Sequence, residues 1–191
     1  MKRLVFLSLL CSLLSSHLYA NVLRDKASAS AGIAAGLLKP FGYFGSEFSP
    51  GISVEINGRL PAARFVDWKI APDTSLLLGA NFQFMNMNLT SKTSSTMTNM
   101  ALGAGPGIVY YFHPWFQPMA FFDVGVFYNR LSLASRNEAF NAVNPFCRFK
   151  GGFFAEINSS VFLEASVAFP FYYLGSDNLY GVEAAVGINY Q

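Results

Sequence analysis

The sequence predicts an all-β fold, an eight-stranded antiparallel up-and-down β-barrel that spans a membrane. Three observations predict it: a secretion signal, a charged fraction of 13% where soluble domains carry about 25%, and eight runs that alternate with period two. Several runs have twelve or more residues, whereas soluble strands average about 5–6 and a tilted membrane strand needs about 9–11. The strands must close into a barrel because lipid tolerates no unpaired strand edge.

Residues 1–20 have the pattern of a secretory signal peptide. A basic start precedes an apolar core and a cleavage point after Ala20. A lipoprotein signal ending at Cys11 is disfavoured because bulky Leu10 stands where a small residue is expected. The predicted domains are therefore a signal peptide, 1–20, and a barrel, 21–191.

The charge balance excludes several functional classes. Removing residues 1–20 takes away two basic residues, which leaves 11 basic and 11 acidic residues and a formal net charge of 0. Nucleic-acid binding would require a basic patch, so none is predicted. The remaining chain holds one cysteine, Cys147, so we expect no intramolecular disulfide, no metal site and no cofactor.

Two other architectures are consistent with parts of the sequence. The uncharged stretch between Lys92 and Asp123 is long enough for a transmembrane helix, but the run 103–107 (Gly-Ala-Gly-Pro-Gly) would break it. A soluble secreted sandwich would also show alternating strands. This alternative would be supported by a protein that is recovered in the soluble fraction and whose mobility on SDS gels does not change on boiling.

The first half of the barrel is predicted as strands 31–38, 51–60, 75–89 and 97–112. The apolar, outward residues are Ile33, Ala35, Leu37, Ile52, Val54, Ile56, Leu76, Leu78, Ala80, Phe82, Phe84, Met100, Leu102, Ala104, Ile108, Tyr110 and Phe112. The inward residues are small or polar, as in Ser53, Glu55 and Asn57. In the third strand the apolar phase flips to Met85, Met87 and Leu89, which predicts a bulge.

The second half is predicted as strands 118–133, 145–157, 161–174 and 179–190. The outward residues are Ala120, Phe122, Val124, Val126, Tyr128, Cys147, Phe149, Gly151, Phe153, Ala155, Ile157, Val161, Leu163, Ala165, Val167, Phe169, Phe171, Tyr173, Tyr180, Val182, Ala184, Val186, Ile188 and Tyr190. Glycines and charged residues occupy the opposite face. An even strand count puts both termini on one side.

The connections are predicted as loops and turns. Short loops at one end span 41–49, 90–96, 134–144 and 175–178, and tight turns at the other span 113–117 and 158–160. The longer connection 61–74 contains alternating Val66, Trp68 and Ile70, so it can form an extra strand. Because long loops carry most binding functions of barrels, short ones argue against a large adhesive surface.

Over residues 31–190 this pattern resembles the small eight-stranded outer-membrane barrels of Gram-negative-type bacteria, the group of the OmpA barrel, OmpX and the opacity proteins. The terminal run that ends in Tyr190 is similar to the signal by which the barrel-assembly machinery recognises its clients, although that signal usually ends in a C-terminal Phe or Trp and here Gln191 follows. The resemblance implies outer-membrane localisation. It also implies outer-membrane lipid, lipopolysaccharide and the assembly machinery as partners.

The inward faces collect seven charged residues into one predicted lumen network: Glu55, Asp123, Arg148, Lys150, Glu156, Glu164 and Glu183. Buried charges persist when they are paired and hydrogen-bonded. An eight-stranded interior is filled by side chains, so a polar plug is favoured over an ion-conducting path.

Catalysis is disfavoured. His113 is the only histidine outside the predicted signal, and it lies in a turn on the side of the termini, whereas barrel enzymes of this size use a histidine at the outer rim. No nucleophile elbow or metal-ligand spacing occurs. Trp115, Tyr180 and Tyr190 are instead predicted as interface anchors, with the latter two in the assembly signal.

Pro106 and Pro170 lie within predicted strands, where each removes a donor from the ladder. They predict a kink or bulge, or alternatively a lateral gap through which an apolar molecule leaves, as in OmpW-like conduits. Cys147 faces lipid and is expected to be inert.

The function predicted is a non-enzymatic outer-membrane barrel with a structural or surface-interaction role, the alternative being a porin-like or OmpW-like channel. The extracellular ligand is left open.

Overall fold

The computed structural model describes residues 29–65, 71, 73–90, 95–133, 138–174 and 178–191. The predicted signal peptide and the alternating residues Val66, Trp68 and Ile70 lie outside this part of the chain. Among the described residues, no helix is long and apolar enough to cross a membrane.

Eight antiparallel strands form one closed barrel in sequence order, and β8 pairs with β1. The strands are β1 (Ser30–Pro40), β2 (Gly51–Pro61), β3 (Thr74–Asn88), β4 (Thr96–Tyr110), β5 (Gln117–Leu133), β6 (Glu138–Asn158), β7 (Val161–Tyr172) and β8 (Leu179–Tyr190). The predicted fold class is confirmed. In the closed ring, β2 pairs directly with β3.

The two ends of the barrel differ. The terminus end carries the start of β1, the end of β8 and the β2–β3, β4–β5 and β6–β7 connections. The loop end carries the other four connections, including a six-residue helix, α1 (Gly42–Glu47). These two names are used below.

The stagger of the barrel can be counted from paired residues. Successive partners from Gly51 around the ring are Leu38, Glu183, Ala168, Lys150, Phe121, Gly107, Leu77 and finally Pro61. The path returns to β2 ten residues further along (51 to 61). With eight strands, this shear tilts the strands by about 40° from the barrel axis, the usual range for closed barrels.

The alternation of side chains follows the sequence. In β8, whose bounds agree with the prediction, Tyr180, Val186 and Ile188 are exposed on the outside while Glu183 and Asn189 are buried in the lumen. The outside is apolar over most of the barrel, with exposed Ile, Leu, Val and Phe on all eight strands. The outer surface is therefore apolar, and the charged groups of the strands lie inside.

The predicted bulge in the third strand is wrong. Met85 and Met87 are buried on the same inward face as Gln83, and β3 pairs without interruption with both neighbours. The apolar residues change face because the lumen itself becomes apolar towards the loop end. A register shift occurs instead in β6, between Glu156 and Asn158.

Two predicted connections are more regular than expected. Lys39 and Pro40 continue β1 by pairing with β8, and α1 replaces part of the predicted loop 41–49. The predicted polar loop 134–144 is largely strand, because β5 and β6 pair as far as Leu133 and Glu138. Polar side chains there do not prevent a ladder, since backbone groups alone form it.

Candidate functional site in the barrel lumen

Five strands deliver charged side chains to the middle of the lumen. Six members of the predicted network are buried there: Glu55 on β2, Asp123 on β5, Arg148 and Lys150 on β6, Glu164 on β7 and Glu183 on β8. Inward positions recur at every second residue of a strand, so each of these side chains points to the axis.

Arg148 is the centre of the network and is 1% exposed. Its Nη1 lies 2.6 Å from Oε2 of Glu55, and its Nη2 lies 2.7 Å from Oδ2 of Asp123. Nε donates a further hydrogen bond to the same Asp123 oxygen at 3.1 Å. Asp123 is also the residue paired with Arg148 across the β5–β6 ladder. One guanidinium thus binds carboxylates from two different strands.

Lys150 extends the network towards the terminus end. Its Nζ lies 2.8 Å from Oε1 of Glu55 and 2.7 Å from Oε1 of Glu164. Ser166 donates a hydrogen bond to the same Glu164 oxygen at 3.2 Å. The charges therefore alternate in sign from one group to the next.

Arg59 completes this end and was not predicted. Its Nη2 lies 2.8 Å from Oε2 of Glu164, and its guanidinium carbon lies 4.9 Å and 4.8 Å from the ring centres of Phe121 and Phe154. Such cation–π contacts are stronger when they are removed from water. The sequence pattern is sufficient to place Arg59 in the lumen, because Arg59 continues the inward positions of Glu55 and Asn57.

Glu183 is held by neutral groups. The Ser53 hydroxyl donates to Oε1, and Gln83 Nε2 donates to both carboxylate oxygens at 2.8 Å. The Tyr172 hydroxyl in turn donates to Oε1 of Gln83 at 3.1 Å. In the described part of the chain no cation lies within ion-pair distance of Glu183. The network thus sets three buried cations against four buried carboxylates.

The structure does not bring Glu156 into the network. It is half-buried beside the register shift of β6 and forms none of the ion pairs found among the described residues. Phe154, two residues earlier on the same face, packs against Arg59. Glu156 therefore lies at the terminus end, level with its ladder partner Phe162.

Apolar residues fill the lumen on both sides of the charges. The loop-end cluster is Leu38, Phe48, Met85, Met87, Met97, Ala101, Phe127, Phe146, Tyr172 and Leu179. The terminus-end cluster is Leu77, Val109, Met119, Phe121, Phe154 and Phe162. The cavity in the middle of the charges measures about 10 Å³, roughly the space of one water molecule, and a cavity of about 50 Å³ lies beside Arg59 at the terminus end. The charged layer is therefore sealed between two apolar layers.

Inward glycines make room for the large rings of these clusters. A Cβ at Gly107 would collide with the ring of Phe121. A Cβ at Gly103 or Gly125 would lie 2.7 Å or 2.8 Å from the ring of Phe146. The glycines predicted on the inner face thus leave the space that the aromatic rings of the lumen occupy.

The other singled-out residues lie outside the lumen network. Trp115 is 72% exposed in the β4–β5 turn, where its backbone N–H donates to Nδ1 of His113. Tyr180 and Tyr190 lie on the outer face of β8, ten residues apart. With a rise of about 3.3 Å per residue and a tilt of about 40°, they are separated by about 25 Å along the axis, the height of a typical apolar belt. Cys147 is half-buried on the outer face of β6.

Both strand prolines coincide with interruptions of a ladder. The β4–β5 pairing is interrupted between Ala104 and Gly107, around Pro106, and the β7–β8 pairing between Ala168 and Phe171, around Pro170. At the Pro106 site the strands stay in contact, since a Cβ on Gly105 would meet the backbone of β5. A lateral gap at either site stays a prediction.

The charges of this site are buried and held by ion pairs or, for Glu183, by neutral hydrogen-bond donors. No group of three His, Cys, Asp or Glu side chains that could hold a metal occurs within the described ranges. His113 lies in the terminus-end turn, away from the lumen carboxylates. The chemistry of this site is therefore electrostatic pairing and exclusion of water.

Comparison with known proteins identifies the fold. No protein-family profile and no curated protein sequence matches the chain. Among solved structures, the chain is similar to Neisserial surface protein A (13% identity, 85% of this chain and 96% of that one, TM-score 0.60). It is also similar to Ail of Yersinia pestis (13%, 85% and 95%, 0.52) and to the outer membrane protein OprG of Pseudomonas aeruginosa (11%, 86% and 95%, 0.54). The chain thus shares the eight-stranded barrel fold of these proteins.

Proposed function

We propose that the chain is a non-enzymatic β-barrel of the bacterial outer membrane, with a sealed lumen and a structural or surface-interaction role at its loop end. One observation carries the proposal: the ion-pair network of Arg148 lies between two apolar clusters. Buried ion pairs that are satisfied on all sides hold strands together but give ions no aqueous path.

The outer surface supports the membrane location. Exposed apolar side chains cover the barrel, and exposed aromatic residues such as Tyr180 and Tyr190 flank a belt of about 25 Å. Outer-membrane lipid and lipopolysaccharide are then the surroundings of this belt. Residues 1–20 would direct export, and β8 would be recognised by the barrel-assembly machinery.

The relatives by fold support the surface role by analogy. One is named as a surface protein and another as an attachment invasion locus protein. These names describe those proteins. By analogy with these two proteins, we expect a partner of this chain to bind at its loop end.

Two measurements test the proposal. The protein should fractionate with outer membranes, and its mobility on SDS gels should change on boiling, as folded barrels do. It should also leave planar bilayers silent. A soluble protein without the gel shift, or one that produces defined conductance steps, would contradict it.

A channel for small or hydrophobic solutes is the second candidate. The interrupted ladders beside Pro106 and Pro170 favour it, because an apolar solute could leave sideways through a weakened wall. Pro106→Ala and Pro170→Ala should then reduce uptake of an apolar solute. Unchanged uptake in both variants would leave only the sealed barrel.

A further inference from the structure

We infer that the loop end of the barrel is a closed-bottomed binding site for a small, uncharged amphiphile, a hydrocarbon body with one hydrogen-bonding group such as an alcohol. The inference deepens the proposed surface-interaction role and depends on it for the side of the membrane to which the site opens. It begins from a cavity of about 380 Å³ above the loop-end cluster.

The cavity has the size and lining of a ligand site. Its apolar lining residues are Phe44, Phe48, Leu89, Met97, Leu131, Ala142 and Leu174. Ligand sites typically measure about 300–1,000 Å³, are mainly apolar with a few polar groups, and occur in the mouths of β-barrels. Methionine adapts its shape to irregular partners. The lining therefore suits a small hydrocarbon body.

One wall of the cavity is fixed by helix α1. The Thr90 N–H donates to the carbonyl of Glu47, and the Ser49 N–H donates to the carbonyl of Asn88, at 2.7 Å and 2.9 Å. The rings of Phe44 and Phe48 stack with centres 5.7 Å apart and face the cluster below. The helix is thus tied to the end of β3, so the cavity exists without a ligand.

The floor of the cavity is closed. Beneath Met97 lie the fully buried Met85, Phe127 and Tyr172, and beneath them the network of Arg148. Phe127 and Tyr172 contact edge to face with centres 4.7 Å apart. A molecule that enters must leave by the same end, which makes the site one of binding rather than passage.

Amide groups at this site lack strong partners. Asn129 lines the cavity, and its Nδ2 donates to the sulfur of Met97 at 3.1 Å, a weak acceptor. Asn99, its ladder partner, is fully buried, and neither of its amide atoms has a hydrogen-bond partner in the described part of the chain. Buried polar groups are normally satisfied. A ligand hydroxyl beside Asn129 would give its amide a strong hydrogen-bond partner.

Charge limits the class of ligand. Glu47 is the single ionisable residue of the lining found in the described chain. A carboxylate in the wall of an apolar cavity repels an anionic head. An alcohol should therefore bind more tightly than the fatty acid anion of equal length.

The methionines provide an internal test. In the full-length mature barrel in lipid nanodiscs, with methyl-¹³C methionine, 1-hexanol should give a saturable shift of the Met97 signal. Met119 lies in the opposite cluster and should not move, while outward Met100 reports partition of hexanol into lipid. Hexanoate should bind about tenfold more weakly than 1-hexanol, a difference of ~1.4 kcal/mol in binding free energy. In Glu47→Gln the difference in affinity between the two ligands should be smaller.

Two matched variants complete the experiment. Ala142→Phe places a ring in the cavity and should abolish the saturable shift, whereas Val143→Phe on the lipid side of the same strand should keep it. A Met97 shift that rises linearly with that of Met100, or one that survives in Ala142→Phe, would overturn the inference. A saturable shift in a protein that conducts ions would instead keep the site and refute the sealed barrel.

Discussion

Arg148 and Glu55 form an ion pair of 2.6 Å across the full width of the barrel. They lie on β6 and β2, four strands apart in a ring of eight and therefore on opposite walls. Lys150 repeats this crossing to the same carboxylate. The two walls are thus joined through the lumen as well as around the sheet.

The first prediction concerns this hub. Arg148→Met leaves Asp123 buried without its cation and removes one of the two ion pairs of Glu55, so the free energy of unfolding should fall by about 3–5 kcal/mol. Urea unfolding in lipid vesicles measures it. Glu55→Gln should cost less, because Arg148 keeps Asp123 and Lys150 keeps Glu164. Arg130→Met, on the exposed outer face of β5, is the control. Equal losses for all three variants would contradict the role of Arg148.

The second prediction compares one substitution at two carboxylates. Glu164→Gln leaves Arg59 without its counter-charge and removes one of the two ion pairs of Lys150, so it should cost about 3–5 kcal/mol. Glu183→Gln should cost about 1 kcal/mol or less, because its donors Ser53 and Gln83 are neutral and an amide oxygen can accept the hydrogen bonds that Oε1 accepts now. The measurement is again equilibrium unfolding. A larger cost for Glu183→Gln would show that this carboxylate is a necessary charge of the network.

The third prediction tests the fit between glycines and rings. Gly107→Ala should destabilise the barrel by about 1–3 kcal/mol, since its Cβ would overlap the ring of Phe121. Gly58→Ala should be near neutral, because the nearest atom to a Cβ there is 4.0 Å away. Adding Phe121→Leu to Gly107→Ala should recover part of the loss. If the double variant recovers no stability, overlap with the Phe121 ring is not the cause of the loss in Gly107→Ala.

The fourth prediction concerns assembly and rests on the proposed function. Tyr190→Ser should lower the fraction of heat-modifiable barrel recovered from outer membranes, because Tyr190 ends the strand that closes the ring against β1 and β7. Tyr180→Ser, at the loop end of the same strand, should have the smaller effect. The ratio of folded to unfolded bands gives the result, and a reversed order would remove the assembly role from Tyr190.

Alternation predicted most of the fold and part of the site. It placed β8 correctly and assigned Glu55, Arg148 and Glu183 to the inside, because the direction of a side chain in a strand is a local property. Met85 and Met87 were misassigned because the prediction assumed a polar lumen throughout, while the structure has an apolar layer at the loop end. Arg59 was missed although its position continued the pattern.

The pairing of the charges could not be read from the sequence. Which inward residues meet depends on the stagger of ten residues around the ring, a property of all eight ladders together. Asp123 and Arg148 are ladder neighbours, but Glu55 meets Arg148 only through the closed barrel. Helix α1 was equally hidden, since its six residues are too few to show helical periodicity.

Single-channel recording in planar bilayers tests the sealed lumen most directly. The protein is inserted at known amounts, its folding is confirmed by the gel shift, and a conducting porin is the positive control. We expect no current steps above the bare bilayer at any applied voltage. Reproducible steps of one defined size from the folded protein would contradict the sealed lumen.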